Sequence, residues 1–161
     1  MKILLASVLL IFSISSTSIN DVRLAFQKAE VNATAADSFK KMMEGNISMN
    51  QNLQLAYHGA AVTLVAKHSS GISTKISLFK EGKGMIEQAV KNNPNHIEIR
   101  LVRLMIQSNT PAVLGYKSEI NEDKNYILSN FDSAQNDLKT YIRNIAKDTD
   151  VFTEIEKEKL K

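Results

Sequence analysis

From position 19 onward, apolar residues recur every three to four positions, and no stretch alternates with period two for long enough to make a strand. The pattern predicts helix nearly throughout. Asn20-Asp21 caps a short first helix carrying Val22, Leu24, Ala25 and Phe26. A second helix runs from Asn32 to Glu44 with Ala35, Ala36, Phe39, Met42 and Met43, and Gly45-Asn46 supplies a left-handed stop. The third spans about 50–67 with a stripe of Leu53, Ala56, Tyr57, Ala60 and Leu64; its Gly59-Ala60-Ala61 lets a neighbouring backbone approach closely. The fourth, about 72–92, sets Ile76, Phe79, Ile86, Ala89 and Val90 on one face. It ends before Pro94, since the residue preceding a proline disfavours helical geometry.

The fifth helix, about 95–108, has two apolar sides: Ile97, Leu101, Leu104 and Met105 on one, Ile99, Val102 and Ile106 on the other. It needs neighbours on both, which makes it the expected centre of the fold. After a break at Asn109-Thr110-Pro111 and a connector at 112–117, a sixth helix (about 118–131) carries Ile120, Tyr126, Ile127 and Phe131. A seventh (about 134–147) carries Leu138, Tyr141, Ile142 and Ile145, and 151–161 reads as a short charged amphipathic helix prone to fray. The expected architecture is all-α, an antiparallel array of about seven helices in one domain, 19–161. No internal linker is long enough to divide it.

The first eighteen residues follow another rule. Lys2 precedes an apolar run from Ile3 to Ile14, followed by Ser15-Ser16-Thr17-Ser18, the charged, apolar and small-residue order of a signal peptide. Ser16 and Ser18 fill the small-residue positions before a cut at Ser18/Ile19. A dozen apolar residues are too few to span a bilayer, which takes about 20, so the expectation is cleavage and an exported, soluble chain, periplasmic or extracellular. No stable membrane insertion is expected after signal removal.

The chain holds 161 residues, and 43% of them are hydrophobic, which suits one globular domain and argues against disorder. Basic and acidic residues intermingle along it, so the net charge of +3 describes no footprint for nucleic acid. With no cysteine, disulfides, thiol nucleophiles and thiolate metal sites are excluded. His58, His68 and His96 show no ligand spacing and read as surface or capped histidines, and no cofactor is implied. Two Ser-x-x-Lys matches, at Ser38 and Ser77, lack the motifs that accompany them in penicillin-binding enzymes. Gly82-Lys83-Gly84 lies inside a helix and reads as close packing rather than a phosphate loop, and Asn32 and Asn46 head glycan sequons.

The run from Gly82 to His96 resembles the second helix and exit of a tetratricopeptide repeat. That family places a small residue, a large apolar one, an alanine and a proline in this order, matched by Gly82, Ile86, Ala89 and Pro94. The resemblance implies a tetratricopeptide-like array of helix pairs. It stops there, because the preceding helix lacks the family's aromatic and Leu-Gly pattern, and no second copy follows at the repeat period. The chain is also similar to an uncharacterised group of small exported bacterial helical proteins, through Arg100-x-x-Arg103-Leu104-x-x-Gln107 followed by Pro111 and Tyr116. That group implies no activity.

Arg100, Arg103 and Gln107 fall within about 60° of one face of the otherwise apolar fifth helix. A partly buried guanidinium needs carboxylates or carbonyls, and the next helix offers Glu119, Glu122 and Asp123, with Asn109, Tyr116 and Tyr126 near either end. Two readings follow. In one, the stripe lines a groove where Arg100, Arg103, Gln107, Tyr116 and Asp123 contact a protein or peptide partner, capturing an anionic group such as a peptide carboxylate. In the other, it is an internal salt-bridge network pinning the fifth helix to the sixth. The functional expectation is a non-catalytic binding module of the cell envelope. The alternatives are a small hydrolase using a carboxylate such as Glu119 or Asp123, and a structural subunit recognised by an apolar outer face.

Overall fold

The computed structural model describes residues 17–45 and 47–161. The chain runs α1 (Ile19–Ala29), α2 (Ala33–Met43), α3 (Gln51–His68), α4 (Ile72–Asn92), α5 (Ile97–Asn109), a 3-10 turn (Ala112–Leu114), α6 (Ile120–Asn130), a second 3-10 turn (Phe131–Ser133), α7 (Asn136–Asp148) and α8 (Glu154–Glu158). It is all-α, with no strand among the described residues. The signal-peptide segment lies outside the described residues except for Thr17 and Ser18. Ser18 belongs to the fold, because its Oγ accepts from the Asp21 N–H while Asp21 accepts from the Ser18 N–H, a reciprocal cap on α1. A cut after Ser18 removes that cap.

Sequential helices pack on one another as an array. α1 lies on α2 and α3, α2 on α3, and α3 on α4 along the most extensive pairing of the fold; α5 then packs on α3, α4 and α6. The α3–α4 crossing rests on two glycines. A Cβ at Gly59 would meet the Gly82 carbonyl oxygen at 2.6 Å, and one at Gly82 would meet the Gly59 carbonyl oxygen at 2.5 Å. The backbones therefore touch where the sequence offers Gly59-Ala60-Ala61 and Gly82. Phe26, Phe39 and Tyr57 join α1, α2 and α3 through ring pairs 5.6 to 6.4 Å apart.

α5 is buried without interruption from Glu98 to Gln107, in keeping with its two apolar sides. α3 shares the centre with it. Gly59, Ala61, Val62, Thr63 and Ala66 are buried in addition to its apolar stripe, and small side chains give α3 no marked outer face. Three expectations need correction. Gly45 is not left-handed; the positive-φ residues among those described are Gly71 and Gly115, and Asn46 lies outside the described residues. Ile76 is not in the core: it is exposed, and α4 buries only Gly82, Ile86, Ala89 and Val90, the face that meets α3 around Gly59. The tail is docked on the core rather than loose: Phe152 and Leu160 are buried, and Arg143 donates to the carbonyls of Leu160 and Lys161. No helix among the described residues is long and apolar enough to cross a membrane.

Candidate functional site

α5 carries charge on two opposite faces, since Glu98 stands about 140–200° around the helix from Arg100, Arg103 and Gln107. On the α6 side, Asp123 is completely buried and gathers both arginines. Its Oδ2 accepts from Arg103 Nε at 2.7 Å, and its Oδ1 accepts from Arg103 Nη2 at 2.7 Å and Arg100 Nη1 at 2.8 Å. The Arg103 pair is a two-pronged fork, the geometry in which guanidinium and carboxylate match best. Arg100 also donates to Glu122 Oε1 at 2.7 Å and the Pro94 carbonyl at 2.6 Å, and stacks 4.5 Å from the Tyr126 ring. Arg103 reaches Glu87 on α4 at 3.1 Å; Glu87 in turn accepts from the buried Tyr116 hydroxyl at 2.6 Å.

Gln107 completes the row. Its Nε2 donates to Glu119 at 2.6 Å, while its Oε1 is buried without a hydrogen-bond partner. The structure thus brings together all five residues singled out from the sequence, Arg100, Arg103, Gln107, Tyr116 and Asp123, and adds Glu87. Burial works against both guanidinium ions, but the hydrogen bonds and fields of their carboxylates outweigh it and hold them charged. The Ser118 hydroxyl foremost, then Gln107, holds Glu119 below the usual carboxylate range. Four carboxylates face two guanidinium ions here, so an incoming anion would have to displace a carboxylate already paired. The chemistry is that of an internal clamp joining α4, α5 and α6.

The opposite face of α5 holds a second clamp that has no periodic signal in the sequence. Buried Glu98 takes a two-pronged bond from Arg23 at 2.7 and 2.8 Å and accepts from the Tyr57 hydroxyl at 2.8 Å. Arg23 continues to Asn20 and to Asp137, both at 3.0 Å, so α1, α3, α5 and α7 meet around one guanidinium–carboxylate pair. The one clue in the chain is a lone glutamate between Ile97 and Ile99 on a helix covered on both sides. The histidines stand apart: His58 and His68 lie on α3, and His96 caps α5 through Nδ1. Among the described residues no group of three His, Asp or Glu side chains is arranged to hold a metal ion.

An apolar pocket of about 270 Å³ opens between α3, α4, α5 and the 3-10 turn. Leu64, Ala66, Phe79, Ile106, Pro111 and Leu114 line it, with Glu30, Lys67 and Lys75 also at its walls. Thr63 and Thr110 spend their hydroxyls on the Ala60 and Ile106 carbonyls of their own helices. Beside the pocket, Ile72 (78% exposed), Ile76 (41%) and Val113 (91%) present aliphatic surface to solvent. On the α4 helix wheel Ile72, Lys75, Ile76 and Phe79 share an arc of about 100°, so pocket and aliphatic surface form one face.

No protein-family model matches the chain. No match emerges among the curated proteins or the solved structures either. The tetratricopeptide likeness therefore rests on Gly82, Ile86, Ala89 and Pro94 alone.

Proposed function

We propose that the chain is a non-catalytic helical binding module that is exported and holds a protein or peptide partner in the cell envelope. The observation that carries this reading is the exposed aliphatic face of Ile72, Ile76 and Val113 beside an apolar pocket, which sets it apart from the exposed Leu24, Val31 and Ile155, none of which lines that pocket. Burying such a face on a partner is favourable by roughly 25 cal/mol per Å². The arginine row serves it indirectly. By clamping α4, α5 and α6, Arg100, Arg103, Asp123 and Glu87 fix the frame from which the first turns of α4 and the 3-10 turn project. Export rests on the apolar run from Ile3 to Ile14 and the small residues that follow.

A hydrolase built on Glu119 or Asp123 finds less support. Asp123 accepts three N–H donors on its two oxygens, and Glu119 is held toward its ionised form rather than raised toward a general acid. The test places a photo-crosslinking side chain at Ile76 in the exporting host. The expected result is a discrete cross-linked partner that disappears when Ile72→Glu is added, with the thermal midpoint unchanged. Cross-links that survive Ile72→Glu, or none at all, would overturn the reading. Light scattering on the purified chain separates a foreign partner from a second copy, which is what a structural subunit would show.

A further inference from the structure

The pocket between α3, α4 and α5 has a chemistry narrower than the aliphatic face around it. Its floor is carbon: Leu64, Ala66, Phe79, Ile106 and Leu114. The two threonine hydroxyls at its walls are bonded within their own helices, and Asn109 donates to Glu30 and to the Met105 carbonyl. A peptide main chain entering it would leave amide groups without partners, which is unfavourable. An alkyl chain has no such groups. A cavity of about 150 Å³ admits the six carbons of benzene, so 270 Å³ holds roughly ten carbons.

The charge at the mouth is asymmetric. Lys67 is met by the Glu30 carboxylate at 3.3 Å and the Glu30 carbonyl at 3.2 Å. Among the described residues no carboxylate contacts Lys75; its ammonium group donates to the Lys67 carbonyl at 3.3 Å on an exposed side chain. One neutralised pair and one uncompensated cation therefore flank an opening into a carbon-lined space. That combination selects an apolar body ending in a single negative charge, and disfavours a positive or a doubly anionic head beside Glu30.

We propose that this pocket is a binding site for a medium-chain aliphatic carboxylate, its alkyl chain laid against Leu64, Phe79, Ile106 and Leu114 and its head group paired with Lys75. The site adjoins the face proposed for partner binding at Ile72 and Ile76 and goes beyond that reading, and its test uses neither residue.

The probe is decanoate, titrated calorimetrically into the purified protein below its micelle concentration, with decanamide and decylammonium as matched bodies of zero and positive charge. Methyl resonances of Leu64, Ile106 and Leu114 report where the chain lies. Decanoate is expected to saturate at one per protein, to shift those three methyls and to bind more tightly than either analogue. Lys75→Glu, on an exposed side chain, is expected to weaken decanoate about five- to tenfold and strengthen decylammonium. Leu114→Trp, which fills the mouth, is expected to abolish binding of both while the thermal midpoint stays within about 2 °C of the unaltered protein. Absence of saturation below about 1 mM decanoate would overturn the proposal. So would equal affinity of the three probes, or decanoate binding that Lys75→Glu leaves unchanged.

Discussion

A carboxylate taken fully out of water, as Asp123 is, survives only because two guanidinium ions occupy its oxygens, and the arrangement is fragile in one direction. Replacing the whole cluster with carbon can be neutral, whereas removing one partner strands a buried charge at about 3–5 kcal/mol. Arg103→Ala is therefore expected to lower the thermal midpoint by about 6 °C or more, followed by circular dichroism. An unchanged midpoint would deny the clamp its structural role. His96 offers a pH test. Burial outweighs the field of nearby Glu98 and lowers its pKa, and neutral Nδ1 accepts from the Ile99 N–H at 3.4 Å. The folded state prefers the unprotonated ring, so this contribution is complete above the unfolded pKa of 6.5 and is lost as pH falls through the lower folded value. Stability should decline between pH 7.5 and pH 5. His96→Asn, which keeps a cap but does not titrate, should flatten that slope; equal slopes in both proteins would refute the assignment.

At the scale of elements, the α3–α4 crossing makes a paired prediction from two glycines of one helix. A Cβ at Gly82 would strike the Gly59 carbonyl oxygen and the Thr63 methyl carbon at 2.5 and 2.7 Å, whereas one at Gly84 meets nothing within 4 Å. Gly82→Ala is expected to cost about 1–3 kcal/mol by forcing the helices apart. Gly84→Ala is expected to gain up to about 1 kcal/mol from helix propensity. Urea unfolding of the two variants measures both, and a stabilising Gly82→Ala would mean that the crossing yields without strain. The small residues around Gly59 and at Gly82 made this contact legible in the sequence, because only residues without bulk permit it. The outward turn of Ile76 was not legible: helical spacing groups apolar residues along a helix, but does not say which of them a neighbouring helix covers.

Across the whole molecule, cohesion comes from one continuous core and from the way the C-terminal segment closes on it. Phe152 and Leu160 belong to that core, and Lys124 on α6 pairs with Glu156 on α8 at 2.9 Å. Phe152→Ala is expected to destabilise the whole protein by about 3–5 kcal/mol, in a single transition monitored at once by fluorescence and circular dichroism. Local loosening of the tail with an unchanged midpoint would show instead that α8 is an appendage. Apolar spacing alone determined the helices, because helical periodicity is a local property of the backbone. It also marked α5 as central, since apolar residues on two sides leave no face for water. The same spacing put Arg100, Arg103 and Gln107 on one line. Only the tertiary structure decided what they face. The partners of Arg103 on Asp123 and Glu87 lie 20 and 16 residues away, and Arg23 meets Glu98 across 75. No local rule sets such pairings. They follow from how helices stack to bury carbon, and the charges settle where that stacking leaves them a counter-ion.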